Sequence, residues 1–214
     1  MNIKLLRSQI PSEVFEEQDF HLANREISRV AMHSLLSRML KRGDLKKVSR
    51  GLYVFDEIWR RKPLSKFNIA NKLVAPSYVS FESALSHHGM IPESVYVTTS
   101  ASLKRENKSF HTPFGDFTYH HIPLKCFPLE IESVASPAGP ELIASPIKAL
   151  FDLVYAQRKT YLSLIDIESD LRIDVEALLN YVHKLQMRDI EELAETYKKK
   201  TCLALFAAIK KEMR

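Results

Sequence analysis

The segment SRVAMHSLLSRMLKRGDLKKVSRGLYVF, residues 28–55, constrains the fold more than any other stretch of the chain. Met32, Leu35, Leu36, Met39 and Leu40 recur at the i, i+3, i+4 spacing of one helical face. Ser28 stands where an N-cap belongs and Gly43 where a helix stops. The period then changes: LKKVSRGLYVF alternates as strand, tight turn at Arg50-Gly51 and strand, with Val48, Leu52 and Val54 among its inward residues.

Upstream, KLLRSQI reads as a short helix stopped by Pro11, and EEQDFHLANRE as a second helix ending near Glu26. Three helices followed by a two-stranded wing is the order of a winged helix-turn-helix. The stretch DEIWRRKPLS, residues 56–65, reads as a boundary, because Pro63 disfavours a helix running through it. The expected organisation is therefore a winged helix-turn-helix over residues 1–62 and a mixed α/β domain over 63–214, an α+β chain overall.

In the second part, SYVSFESALSHHGMI predicts a strand end or turn, then a helix from about Phe81 closed by Gly89. SVYVTTSA and FGDFTYHHIPL alternate like strands. IKALFDLVYAQ, VEALLNYVHKLQ, DIEELAETY and CLALFAAIKKEM predict a run of closing helices. The last is apolar and then basic, and its small faces suit packing on the body or on a second subunit better than lying on a membrane.

Charge separates the two parts. Residues 1–66 hold 14 Lys/Arg against 8 Asp/Glu, whereas 67–214 hold 17 against 18, so the formal net charge of +5 comes from the first third. Between Arg38 and Lys66 there are ten basic residues and only Asp44, Asp56 and Glu57 to oppose them. Such a surface favours polyanions, nucleic acid first. No apolar window reaches the roughly 18–20 residues of a membrane span, and the first residues lack the apolar run of a secretory signal, so the expectation is a cytoplasmic protein with no membrane partner. Cys126 and Cys202 stand far apart, which supplies neither a zinc-finger spacing nor a disulfide framework.

Burying the apolar face of the third helix leaves two polar stripes: Arg29, His33, Ser37 and Lys41, and beside it Ser34, Arg38 and Arg42. A recognition helix needs this arrangement, one face fixed to its own domain and the other offering donors to a major groove. Ser28, Arg29, His33 and Ser34 are the expected base contacts. Arg38 and Lys41 are expected on phosphates, and Lys46, Lys47 and Arg50 on the flanking backbone or an adjacent minor groove. No RNP-like aromatic run or GXXG loop points to RNA.

The pairs His87-His88 and His120-His121 invite a metal hypothesis. Adjacent histidines diverge on a helix or a strand, so neither pair suits one ion, although one member of each could converge. No metal or other cofactor is expected. The chain has no G-x-x-x-x-G-K-[ST], G-x-S-x-G or G-x-G-x-x-G motif, and enzyme activity is not the reading adopted. A nucleic-acid-processing site near Glu82, His88 and Asp152 is one rival; a protein-contact module without DNA binding is another.

Four segments in order, LKRGDLKKVSRGLYVF, YVSFESALSHHGMIPESVYVTTSA, TPFGDFTYHHIP and IASPIKALFDLVY, resemble the AbiEi family of type IV antitoxin transcriptional regulators across roughly residues 10–156. The resemblance implies a winged helix-turn-helix that binds inverted repeats in its own promoter, two subunits on DNA, and a C-terminal antitoxin domain. It also implies a nucleotidyltransferase-like toxin as functional partner, opposed without a stable complex. The stretch Ser28 to Tyr53 matches the DNA-binding part. Ser83, Ala84, Leu85, His88 and Gly89, and Pro146, Lys148, Ala149, Leu150 and Asp152, match second-domain signatures, whose apolar spacing suggests scaffold. The chain departs from the family pattern at Ile147, where a Glu often follows the Pro.

Overall fold

A computed structural model describes residues 3–25, 28–92 and 94–213. Its N-terminal region runs α1 (Ile3–Gln9), β1 (Val14–Glu16), α2 (Glu17–Leu22), α3 (Arg29–Arg42), β2 (Leu45–Ser49) and β3 (Leu52–Phe55). The Ser28 hydroxyl accepts from the Ala31 amide at 3.3 Å, and Gly43 takes φ 78°, so the cap and the stop of α3 stand where the sequence puts them. The second helix is shorter than expected. It ends at Leu22, where the Asn24 side chain donates to the Phe20 carbonyl at 2.7 Å; Glu26 lies outside the described residues.

Strand β1 is an element that EVFEEQ does not announce, three residues preceding a helix. It pairs antiparallel with β3, which pairs antiparallel with β2, giving the order β1-β3-β2. Alternation then divides this sheet between two cores. Phe15, Leu45, Tyr53 and Phe55 pack with Leu6, Phe20, Met32, Leu35, Leu36 and Met39, whereas Val14, Val48, Leu52 and Val54 belong to the large core of the rest of the chain. All four residues of β3 are buried for that reason. The buried Arg7 pairs with Glu13 and donates to the Trp59 carbonyl at 3.0 Å, tying α1 to the connection after β3.

The remainder is built on a six-stranded mixed sheet of order β6-β7-β5-β4-β9-β8. Its strands are β4 (Ser77–Val79), β5 (Thr98–Ser102), β6 (Lys108–Thr112), β7 (Gly115–His121), β8 (Ile131–Ser136) and β9 (Gly139–Ala144). Two neighbouring pairs are parallel, β4 with β9 and β5 with β7. Between β3 and β4 lies α4 (Lys66–Leu73), and α5 (Phe81–His87) follows β4. After β9 come α6 (Pro146–Gln157), α7 (Leu164–Leu171), α8 (Val175–Val182), α9 (Met187–Thr196) and α10 (Lys200–Glu212). Pro146 at the first turn of α6 and the Ser145 hydroxyl accepting from the Lys148 amide at 3.3 Å start that helix as its sequence dictates. α10 lies against α6 and α9 through Cys202, Leu205, Phe206 and Ile209, all buried. Among the described residues no helix is long and apolar enough to cross a membrane.

Candidate nucleic-acid interface

Once Met32, Leu35, Leu36 and Met39 are buried, the opposite side of α3 faces solvent. Ser28, Arg29, His33, Ser34, Ser37, Arg38 and Lys41 are all exposed there. So is Val30, at 77%, an apolar side chain on the same outer surface. The first turn of α3 carries no acidic residue, so the positive end of its dipole is not offset within the helix. Arg29, Arg38 and Lys41 pair with no carboxylate among the described residues. Arg42 differs, because its guanidinium is held back by Asp44, with Nε donating at 2.8 Å.

The amino half of α3 is shared with α2. Arg29, Met32 and His33 line an open cleft of about 480 Å³ with Glu17, Gln18, His21 and Leu22. Within it the His33 Nε2 lies 3.5 Å from the Glu17 carboxylate. An acid therefore stands beside two of the expected base contacts, and a polyanion approaching Arg29 meets its field.

On the hairpin, the expected lysines separate. Lys46 is opposite Val54 and Lys47 opposite Tyr53, so they point to opposite faces of the sheet. Lys47 stands on the face covered by α3 and has no carboxylate partner among the described residues. Lys46 stands on the other, its Nζ 3.0 Å from Asp56, and that hydrogen bond holds the Asp56 carboxyl below the usual carboxylate range. Arg50 is exposed, yet the turn it occupies is anchored: the Glu17 amide donates to the Gly51 carbonyl at 2.9 Å, and Lys72, Leu73 and Ala75 line the same groove.

The other sequence candidates do not assemble into one site. Asp152 is fully buried, and both its oxygens are occupied. Oδ1 accepts from Lys148 Nζ at 3.0 Å and from the Tyr197 hydroxyl, and Oδ2 from Tyr78 at 2.9 Å and Ser80 at 2.7 Å. Lys148, also fully buried, completes its donors with the Cys126 carbonyl at 2.8 Å and the Tyr197 oxygen at 2.6 Å. The Lys148/Asp152 spacing is visible as an i, i+4 pair in an apolar helix; Tyr78 and Tyr197 give no sequence signal of joining it. Burial and the Asp152 carboxylate push the Tyr78 and Tyr197 hydroxyls well up, so both remain protonated donors.

The histidines take separate partners, although the His87 and His88 rings stand 5.1 Å apart, edge to face. His88 Nε2 meets the Ala144 carbonyl at 2.9 Å, His87 packs edge-on against Phe67, and His120 packs edge-on against Phe81. Among the described residues no group of three or more His, Cys, Asp or Glu side chains is placed to hold a metal ion. No protein-family model matches the chain, and no curated protein matches it. The likeness to AbiEi antitoxins therefore rests on the four sequence segments.

Proposed function

We propose that this protein is a sequence-specific DNA-binding transcriptional repressor whose α3 enters the major groove as the recognition helix of a winged helix-turn-helix. The observation that carries the reading is the outer face of α3: Arg29, Arg38 and Lys41 exposed and unneutralised among the described residues, on a helix whose inner face is fixed by Met32, Leu35, Leu36 and Met39. Fixed backing and free donors are what base reading needs, because a base contact discriminates only when its geometry is held. Ser28, Arg29, His33 and Ser34 take the base edges, and Arg38, Lys41 and Lys47 the phosphates. Lys46 and Arg50 serve at the margin, since one is paired with Asp56 and the other sits on an anchored turn.

The resemblance to AbiEi antitoxins extends the proposal: two subunits on inverted repeats upstream of the protein's own gene, and a C-terminal region that opposes a nucleotidyltransferase-like toxin without a stable complex. A reporter fused to that upstream DNA tests the regulatory half. Repression by the wild-type chain and its loss in R29E/R38E, with the variant still folded, supports the reading; equal repression by both chains refutes it.

A further inference from the structure

A second cationic feature lies in the six-stranded sheet and shares no residue with α3. Strands β5 and β7 run parallel and in register, Ser102 beside His121, so their carboxyl ends open on one side of the sheet. A cavity of about 360 Å³ lies there. Arg105, three residues past β5, and His120 and His121, at the end of β7, form one wall. Tyr155 from the last turn of α6, Arg158 directly after it and Lys199 directly before α10 form the other.

The chemistry of this crevice is one-sided. Arg105, Arg158 and Lys199 pair with no carboxylate among the described residues, and no acidic residue lines the cavity. Glu82, which does not line the cavity, opposes the burial that lowers the pKa of His120. The His121 imidazole also lines the cavity, while its Nδ1 is buried away from it without a hydrogen-bond partner. The first turn of α10 carries no acid, so its amide end adds to the positive field. The carboxyl end of α6 opposes an anion, and Arg158 sits over it. Phe81, whose ring supports His120 at 5.1 Å, holds φ at 54°, a conformation that a bulky residue keeps only when its surroundings demand it.

We propose that this cavity is a binding site for a small phosphate-bearing ligand, of the size of pyrophosphate or the phosphate tail of a nucleotide. Two arginines supply planar donor forks for phosphate oxygens and Lys199 a point charge, with the His120 and His121 rings beside them. The volume lies in the range of small-molecule sites.

The test uses the full chain and sodium pyrophosphate at fixed ionic strength, followed by titration calorimetry and by the ring resonances of His120 and His121. One saturable site is expected, with both rings perturbed, ATP competing, and affinity at least tenfold weaker in R158A and K199A. K210A, whose lysine pairs with Glu191 beyond the cavity, is expected to bind as the wild type does. The ring resonances of the wild type decide the matter even where a cavity variant does not fold. No saturable binding, unmoved histidine rings, or equal weakening in K210A overturns the assignment. Displacement of pyrophosphate by a 5′-dephosphorylated single-stranded oligonucleotide more tightly than by ATP also overturns it, in favour of a polynucleotide. Either failure leaves promoter binding through α3 untouched.

Discussion

Lys46 and Lys47, adjacent in β2, stand on opposite faces of the three-stranded sheet: Lys47 beside Tyr53 on the α3 side, Lys46 beside Val54 with its ammonium 3.0 Å from Asp56. Only Lys47 shares a surface with α3, the proposed recognition helix. K47A should weaken binding about equally on cognate and unrelated DNA and reduce the slope of log K against log salt by about one. K46A should change the slope by much less. Binding measured across a salt series checks this, and equal slopes in the two variants would contradict the assignment of faces.

Glu17 lies in the cleft with Arg29 and 3.5 Å from the His33 ring. On the proposed DNA-binding reading its charge competes with DNA for both side chains. E17Q should therefore tighten DNA binding, by about 0.2–1 kcal/mol, the range of an exposed pair, which is at most about fivefold. Affinity titrations of the two proteins on one duplex measure it; weaker binding by E17Q would show that Glu17 supports the interface instead of opposing it.

Lys148 and Asp152 hold each other inside the larger core with neither exposed to solvent. Removing one partner leaves the other charged and unpaired, so K148M or D152L should each cost about 3–5 kcal/mol of stability. The double variant should cost less than the sum of the singles, although the Tyr78, Ser80 and Tyr197 hydroxyls then lose an acceptor. Urea unfolding midpoints test this. Losses under about 1 kcal/mol for both singles would mean that the pair is not closed to water as described.

Burial lowers the pKa of His87, with His88 adding to the effect, and burial likewise lowers that of His120 against the pull of Glu82. Folded and unfolded states then differ in protons bound: below the ordinary histidine value of 6.5, the unfolded chain takes up protons that the folded chain resists. Stability from these groups is full above pH 6.5 and declines as pH falls through that value and below. The urea midpoint should drop from pH 7.5 to 5.5, and the drop should be smaller in H120Q. A midpoint that rises over this interval contradicts the sign.

The capped helix and hairpin of residues 28–55 were legible because local signals agree there: the Ser28 hydroxyl, the Gly43 stop and the change of period all specify the same boundaries. The closing helices were legible for the same reason, as was α5 from Phe81. Strands β1, β6, β8 and β9 were not, since three to six residues of mixed polarity gain their partners from pairing that local pattern does not reveal. Helices α4 and α7 were also missed, each short and flanked by turns. The second face of the small sheet was hidden too: Val48, Leu52 and Val54 read as inward residues, but periodicity does not say which of two cores they enter. At the interface, exposure of the polar stripe follows from helical spacing, whereas the placement of Glu17 beside His33 depends on how α2 crosses α3.

The central claim is that α3 reads sequence. Fluorescence anisotropy of the full chain with labelled DNA from upstream of its own gene, beside a shuffled duplex of equal composition, tests it most directly at physiological salt, with R29A measured in parallel. The account predicts tight binding to the upstream duplex alone, and a loss of about 1–3 kcal/mol of discrimination in R29A if Arg29 makes a bidentate base contact. Equal, salt-sensitive binding of the wild type to both duplexes would contradict it, reducing the face of α3 to a non-specific basic surface.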